Sequence, residues 1–274
     1  MMDLSMEYVN GAGESVEFRA DGRWHYTGGG MRSWSASFDE VGGRVASFTS
    51  EPREFEIDAV MDGGGAAERD RAFEVFEHDR DAGTPGTLLC NGSELRCWVI
   101  GGEPDSWWYD EGQMRVVLKV RADDPAWRRE ETLQFFKDGA GGGGEWLDYP
   151  RGYPYDYKMD DRVAQAVSPF KVACPFRWTV YGPAEDPYVI VAGNRYQVNV
   201  SVEDGGLLVV DSVEGTVTLK TAAGDESSAF ANAVRERGAN VFAKLPAGTA
   251  PLSWSGAFGF DLTYVRERLD PGWS

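Results

Sequence analysis

Short segments in which apolar and polar residues alternate recur along this chain of 274 residues. The clearest is 195–202, where Tyr196, Val198, Val200 and Val202 fall on one side and polar residues on the other. A period of two is typical of a β-strand with one buried face. Glycines (34) and prolines (13) separate the segments, as they do at turns. The pattern predicts a mainly β chain that forms an antiparallel sandwich or barrel.

Three further strands are predicted after residue 204. A glycine-rich turn at 204–206 precedes a short apolar run at 207–210. The next strand, 216–220, places Val217 and Leu219 inward. The last one directs four alternating residues to the core: Phe258, Phe260, Leu262 and Tyr264.

One helix is predicted, over residues 66–81. It follows three consecutive glycines at 63–65, and Glu68 and Asp70 near its start complement the positive end of the helix dipole. Gly83 suits the helix end. The apolar side of the helix, formed by Ala72, Phe73 and Phe76, is expected to pack on a sheet.

Composition limits what the chain can do. Its 27 basic and 45 acidic residues leave a net charge of −18, yet 13 % of the chain is aromatic, so a sizeable core is expected rather than disorder. Proteins that grip nucleic-acid phosphates or anionic membranes carry a basic surface, and this acidity argues against both. No apolar run approaches the ~20 residues of a spanning helix. The first residues show no secretory signal pattern.

Three cysteines, Cys90, Cys97 and Cys174, are too few for a disulfide framework. Cys90 and Cys97 lie in strand-like segments and are interpreted as small buried hydrophobic residues, with a disulfide across a hairpin as the alternative. A reducing compartment at synthesis is the simplest interpretation.

No catalytic, metal or cofactor site is predicted. His25 and His78 are too few for a histidine-based metal site, and His78 is interpreted as a solvated residue of the helix. The G-x-S-x-G motif of serine hydrolases is absent from the sequence. Acid pairs such as Asp123-Asp124 and Asp160-Asp161 leave a glycosidase open in principle. In so acidic a chain, most such pairs are expected to be solvated surface.

A glycine-rich run divides the chain. Five of the six residues 139–144 are glycine, and Glu145-Trp146-Leu147 follows instead of the Gly-Lys-Ser/Thr of a phosphate-binding loop. The run is therefore interpreted as a linker. We expect an N-terminal α+β domain (1–138), a linker (139–146) and a C-terminal β-sandwich (147–274).

The ten tryptophans fall into two groups. Trp107-Trp108-Tyr109 lies between polar turn residues and is a candidate interface, with burial in the core as an equal alternative and stacking on sugar rings as a weaker one. The others that lie in strand-like surroundings are expected to pack in the core: Trp34, Trp98, Trp127, Trp178 and Trp254.

Several blocks occur in an order that resembles one known family. Residues 123–127 read D-x-P-x-W, residues 178–183 read W-T-V-x-G-P, and a P-x-G at 246–248 precedes Trp254-Ser255. A stretch rich in proline and tyrosine, 147–157, lies between the first two blocks. Together the blocks resemble the distal tail proteins of long-tailed, non-contractile (siphovirus-type) bacteriophages and prophages, and the resemblance covers nearly the whole chain.

The resemblance implies a structural protein rather than an enzyme. Members of this family have an N-terminal domain similar to the tail-tube subunit and a C-terminal galectin-like β-sandwich. Their N-terminal domains form a hexameric ring in the baseplate, at the tip of the tail. The implied location is the virion, after synthesis in the bacterial cytoplasm. No histidine follows His78, whereas sugar-binding galectins use one, so the sandwich is expected to serve as a docking platform.

The resemblance also implies a set of partners. These are other copies of the chain, the tail-tube protein, the tail-associated hub protein and receptor-binding proteins, with no cofactor and no membrane. DNA would pass through the ring without being held. The charge of −18 fits this, because negative charge facing the channel repels phosphate. Two other functions stay open from the residues: a carbohydrate-binding β-sandwich, motivated by Trp107 and Trp108, and a glycan-cleaving enzyme.

Overall fold

The computed structural model describes residues 5–108, 113–137 and 162–272. The chain divides into two compact units: unit 1 holds Met1–Arg129 and Glu267–Ser274, and unit 2 holds Glu130–Arg266. The chain therefore leaves unit 1 once and returns to it for its last residues. This division differs from the sequence-based boundary, because residue 130 lies inside a regular strand where no turn residue signals a change. The predicted linker at 139–146 lies outside the described residues.

Unit 1 contains nine strands, one 3-10 turn at Gly30–Arg32 and helix α1 (Gly65–Ala82). The strands are β1 (Met6–Val9), β2 (Ser15–Phe18), β3 (Trp24–Gly29), β4 (Ser37–Val41), β5 (Arg44–Thr49), β6 (Arg53–Asp62), β7 (Gly86–Cys90), β8 (Ser93–Trp108) and β9 (Gln113–Ala122). Strand β10 (Trp127–Phe135) begins in unit 1 and continues into unit 2.

Seven strands of unit 1 close into a barrel. Their pairing runs β8-β7-β1-β2-β3-β6-β9, and β9 pairs with β8 again. The long strand β8 makes this possible because its first part pairs with β7 and its second part with β9, with register shifts after Val99 and Pro104. A closed sheet has no free edge to pair with other chains.

The barrel interior holds the unit 1 core. Burial alternates along β6 and β9, as a strand with one inward face requires. The largest enclosed side chains are Met6, Tyr8, Phe18, Trp24, Met31 and Trp127. Helix α1 covers the barrel with Ala72, Val75 and Phe76 buried, and the Phe76 ring meets Tyr8 edge-on at 5.5 Å. The predicted helix is confirmed, and it ends at Gly83 with φ 69°.

Unit 2 contains β11 (Arg162–Val167), β12 (Phe176–Tyr181), β13 (Ala184–Glu185), β14 (Tyr188–Val191), β15 (Asn194–Gln197), β16 (Ser201–Val202), β17 (Leu207–Asp211), β18 (Thr216–Lys220), β19 (Glu226–Ser228), β20 (Arg235–Glu236), β21 (Ala239–Asn240) and β22 (Thr249–Trp254). The last strand, β23 (Gly259–Arg268), begins in unit 2 and ends in unit 1. A 3-10 turn spans Phe230–Asn232.

Two sheets of unit 2 enclose its core. One follows the order β19-β18-β17-β12-β23-β10, and the other the order β11-β22-β14-β15. Trp178 and Phe260 from the first sheet and Trp254 from the second lie in one cluster, with Trp254 and Phe260 edge-on at 5.4 Å. The mainly β prediction is confirmed, as is the inward placement of Phe258, Phe260, Leu262 and Tyr264.

The expectation of one strand over 195–202 is wrong in its continuity. Tyr196, Val198 and Val202 are buried as the alternation requires, but the ladder breaks between β15 and β16. There the main chain turns to other partners: Val198 bridges Ala233, and the Asn199 amide donates to the Asn232 carbonyl. Side-chain periodicity reports burial and does not report which strand a segment pairs with. Among the described residues, no helix is long and apolar enough to cross a membrane.

Candidate interaction surface

Strands β4 and β5 form an arm that pairs with no other strand of the described chain. Its turn is Gly42-Gly43, with φ of 61° and 77°. Two central residues with positive φ match the two-residue hairpin turn that fits the strand twist, and glycine reaches those angles without strain. The sequence therefore sets this hairpin locally. We refer to Ser37–Thr49 as the arm.

The arm exposes large apolar side chains that a monomer would be expected to cover. Phe38 and Phe48 face each other directly across the two strands, so their rings share one face of the arm. On the other face, Ser47 Oγ donates a 2.7 Å hydrogen bond to Asp39. The exposed fractions are 53 % for Phe38, 71 % for Val41, 51 % for Val45 and 72 % for Phe48.

An isolated two-stranded hairpin is at best marginally stable in water. The arm has neither a third strand nor a covered face in the described chain, and clustered exposed apolar groups mark interaction sites. The exposed apolar face and the unpaired strand edges make the arm the candidate interaction surface. What it offers is apolar burial and strand pairing along its edges, with no titratable group placed for chemistry.

Trp34 was expected in the core, and that expectation is wrong. Its side chain is 64 % exposed, in the segment 33–36 that has no regular structure between the buried Met31 and the arm. The alternating apolar and polar residues that follow Trp34 form the arm, whose apolar face is not packed against a core in the described chain. Trp127, Trp178 and Trp254 are buried as expected, and Trp98 is half-buried.

Charged side chains are ordered on the outer wall of the barrel. Strand β9 lies between β6 and β8 and contributes Lys119 and Arg121. Arg121 donates to Glu54 of β6 at 2.9 Å and to Asp123 at 3.1 Å, and Lys119 binds Glu103 of β8. The hydrogen bond that Lys119 donates to Glu103 raises the pKa of Lys119, and those that Arg121 donates, first of all to Glu54, raise the pKa of Arg121. A basic strand thus neutralises part of the acidic wall.

An open depression of about 510 Å³ lies beside these pairs and is lined by residues such as Gly30, Arg53, Phe55 and Lys119. Arg53 does not face into it as a free cation. Its Nη2 donates a 2.6 Å hydrogen bond to the Gly30 carbonyl, and its guanidinium lies 5.2 Å from the Phe55 ring centre. Burial lowers the pKa of Arg53. The arginine thus joins β6 to the 3-10 turn that leads into the arm.

The predicted interface triplet is only partly described. Trp107 and Trp108 end strand β8, and their backbones pair with Met114 and Gln113 at one end of the barrel wall. Tyr109 lies outside the described residues. The role of these three residues in an interface stays a prediction.

The other sequence-based interpretations concern cysteine and histidine. Cys90, Cys97 and Cys174 are free and buried, which confirms the small-hydrophobe interpretation. Cys90 pairs with Ser93 and Cys97 with Gly86, so the hairpin does not bring the two thiols opposite each other. Burial raises the pKa of Cys90 to about 11 and of Cys97 to about 12.

His78 is partly exposed on α1, 3.4 Å from Asp79 Oδ1. No metal-type cluster of His, Cys, Asp and Glu occurs within 5–108, 113–137 and 162–272.

The arm is the surface that sequence reasoning missed. The signal is present as Val41-Gly42-Gly43-Arg44, a glycine pair flanked by β-branched and polar residues. It was hidden because the alternation that predicts strands gives no indication of whether the apolar face is covered.

Comparison with known proteins gives structural neighbours. No family model matches the chain, and none of the curated proteins matches it. A solved structure of the distal tail protein of phage SPP1, titled a paradigm of the hub adsorption apparatus in phages that infect Gram-positive bacteria, aligns with a TM-score of 0.56 and 12 % identity. That alignment covers 96 % of this chain and 99 % of the other.

Two structures of the phage p2 baseplate in its activated conformation also align. The one with Ca gives a TM-score of 0.57 at 12 % identity, covering 98 % of this chain and 100 % of the other. The one with Sr gives 0.57 at 11 % identity, covering 97 % and 99 %. Over nearly its whole length, this chain has the fold of phage distal tail and baseplate proteins.

Proposed function

We propose that the protein is a non-enzymatic structural component of a bacteriophage or prophage tail, a distal tail adaptor. In this role, copies of the chain form a ring at the tail tip that joins the tail tube to the hub and the receptor-binding apparatus. The observation that carries the proposal is the exposed aromatic arm on a closed barrel, in a chain that shares its fold with phage distal tail and baseplate proteins.

The arm supports ring formation on physical grounds. A ring is built from heterologous contacts, in which one surface of each copy meets a different surface of the next. The barrel wall closes on itself, so strand pairing between copies requires strands outside it, and the arm has two such strands. Phe38 and Phe48 give the arm an apolar face whose burial, at about 25 cal/mol per Å², stabilises such a contact.

The proposal assigns a role to each part of the chain. Unit 1 is the tail-tube-like body that makes the ring, and unit 2 is the galectin-like sandwich that serves as a docking platform. The ring has six copies. Its partners are the tail-tube protein, the tail-associated hub protein and receptor-binding proteins, and its location is the virion.

The acidity of the chain supports this role. DNA must pass through a tail channel without being held, and a net charge of −18 per copy opposes the counterion release that drives binding to DNA. Lys119 and Arg121, which neutralise part of this negative charge, lie on the outer wall of the barrel.

Negative-stain imaging of the full chain, alone and mixed with the tail-tube protein of the same phage or prophage, tests the proposal. We expect rings, either free or capping one end of each tube. A chain that stays monomeric in both samples and is retained on a glycan array would identify a carbohydrate-binding protein instead.

A further inference from the structure

Charge is distributed unevenly within unit 2. The segments 187–202 and 227–260 together hold four basic residues and one acidic residue, a net charge of +3 over 50 positions. The remainder of the chain holds 23 basic and 44 acidic residues. The four basic residues are Arg195, Arg235, Arg237 and Lys244, and the acidic one is Glu236.

Hydrogen bonds bring the two segments side by side. The Arg195 amide donates to the Gly238 carbonyl at 3.0 Å, and the Asn199 amide donates to the Asn232 carbonyl at 2.9 Å. Asn194 Nδ2 donates a 2.9 Å hydrogen bond to the Asn240 carbonyl. Strand β15 thus lies against the β20–β21 hairpin. We call this surface, which carries Arg195, Phe230, Arg235, Arg237 and Lys244, the basic face.

Two arginines of the basic face are held on aromatic rings. The Arg195 guanidinium lies 3.9 Å from the Tyr188 ring centre, and the Arg235 guanidinium lies 4.3 Å from that of Phe230. Phe230 in turn stacks on Phe242 at 5.8 Å. Stacking of this kind orients the planar guanidinium and leaves N–H groups for other acceptors. Arg195 Nε donates a 2.7 Å hydrogen bond to Gln197 Oε1, so in Arg195 it is the Nη groups that are left.

Neither of these arginines has a carboxylate partner among the described residues, whereas other arginines of the chain have two. Arg121 binds Glu54 and Asp123, and Arg177 binds Glu130 and Asp211. In a chain with such an excess of acid, positioned arginines without carboxylates form an unused recognition site for carboxylates.

The chemistry favours a protein over a sugar or a small anion. A sugar ring stacks on an open aromatic face, but here guanidiniums cover Tyr188 and Phe230. The basic residues are spread over several strands and a turn rather than converging on one point. Exposed Phe230 beside arginines, with few carboxylates, has the composition of a protein interface.

We propose that the basic face docks the acidic surface of a different protein, whose carboxylates accept hydrogen bonds from the Nη groups of Arg195 and from the guanidinium of Arg235. The inference does not depend on ring formation, because every residue of this face lies in unit 2 and none belongs to the arm.

Binding of fluorescent poly-L-glutamate to the full-length chain at low salt tests the proposal. The variant R235E/R237E is compared with K171E, which reverses an exposed lysine of unit 2 outside the basic face. We expect R235E/R237E to bind at least tenfold more weakly than K171E, while both chains assemble like the unmodified protein. Equal binding by the two variants would overturn the proposal.

Further measurements distinguish an acidic protein from the other ligands that could bind the basic face. Tighter binding to duplex DNA than to poly-L-glutamate, or retention on uncharged dextran that survives R235E/R237E, would replace the acidic protein with a nucleic acid or a sugar. A dimer in light scattering that R235E/R237E dissociates would make the occupant a second copy. As a conservative variant, R195K keeps the charge and loses the planar fork, and we expect it to bind several-fold more weakly than the unmodified chain.

Discussion

The phenol of Tyr8 donates a 2.6 Å hydrogen bond to Oδ2 of Asp79, and both side chains are buried. The other oxygen of Asp79 accepts a 2.7 Å hydrogen bond from the Gly11 amide. Because Tyr8 belongs to β1 and Asp79 to α1, these bonds join the helix to the barrel. A buried carboxylate is tolerated only when its oxygens are satisfied, so this contact sets the position of the helix.

Replacing Tyr8 with Phe should destabilise the protein by roughly 1–3 kcal/mol, because Asp79 then keeps a buried oxygen without its strongest donor. The matched control is Tyr181→Phe, which removes a 2.7 Å hydrogen bond to Asp261 at an exposed site and should cost about 0.5 kcal/mol or less. Urea unfolding followed by tryptophan fluorescence measures both. Equal losses in the two variants would show that the Tyr8–Asp79 bond has no special weight.

The same contact explains why position 86 is glycine. A Cβ at Gly86 would lie 2.5 Å from the Tyr8 hydroxyl and closer still to Asp79 Oδ2. Gly86→Ala should therefore destabilise by about 1–3 kcal/mol through overpacking. Gly22→Ala, whose Cβ would lie no closer than 3.5 Å to any neighbour, should stay within about 0.5 kcal/mol in the same unfolding experiment. A tolerated Gly86→Ala would contradict the close approach of β7 to Tyr8 and Asp79.

Stability should fall at alkaline pH. Burial raises the pKa of Cys97 to about 12 and, in unit 2, the pKa of Tyr196 and Tyr264 to about 12. The folded state thus retains protons that the unfolded chain releases from about pH 9 for cysteine and about pH 10 for tyrosine. The stabilisation from these groups is complete below pH 9 and is lost as the pH rises toward 12.

For Cys97 alone the loss is on the order of 3 kcal/mol by pH 12. Urea midpoints measured from pH 7 to 11 should stay level to about pH 9 and then decline, with a shallower decline for Cys97→Ala. In the native protein near neutral pH, the three buried thiols should resist Ellman's reagent until urea unfolds the chain. Rapid labelling without urea would contradict the burial of the thiols.

The arm should matter for assembly and not for monomer stability. Because Phe38 and Phe48 are exposed, changing both to Ser should leave the unfolding free energy within about 0.5 kcal/mol per site while reducing assembly strongly. The control is Val163→Ser with Val167→Ser, two comparably exposed residues of β11 in unit 2. Sedimentation velocity reports both variants, and rings formed equally well by both would remove the arm from the interface.

The parts of the fold that neighbouring residues determine could be predicted from the sequence. Helix α1 was predictable because Gly65 and Gly83 bound it and Ala72 and Phe76 mark its buried side. The inward placement of Phe260, Leu262 and Tyr264 in β23 was predictable from alternation, whereas the burial of Thr263 and Val265 between and after them was not. The break between β15 and β16, the closure of the barrel through β8 and the division inside β10 were not, because they depend on partners distant in sequence.

The candidate site was less predictable than the fold. Alternation identifies an apolar face without indicating what covers it, so Trp34 was placed in the core and the arm was not recognised. The basic face was hidden for a related reason. The second segment begins at residue 227 and the first ends at residue 202, and only the hydrogen bonds of β15 with the β20–β21 region bring Arg195 beside the others.

Native mass spectrometry of the full chain, alone and with the tail-tube protein of the same phage or prophage, measures the architectural role most directly. A ring of six chains of 30.2 kDa has a mass near 181 kDa, and we expect that species, free or bound to tube subunits. A mass of 30.2 kDa under both conditions, with no larger species at any concentration, would contradict the account.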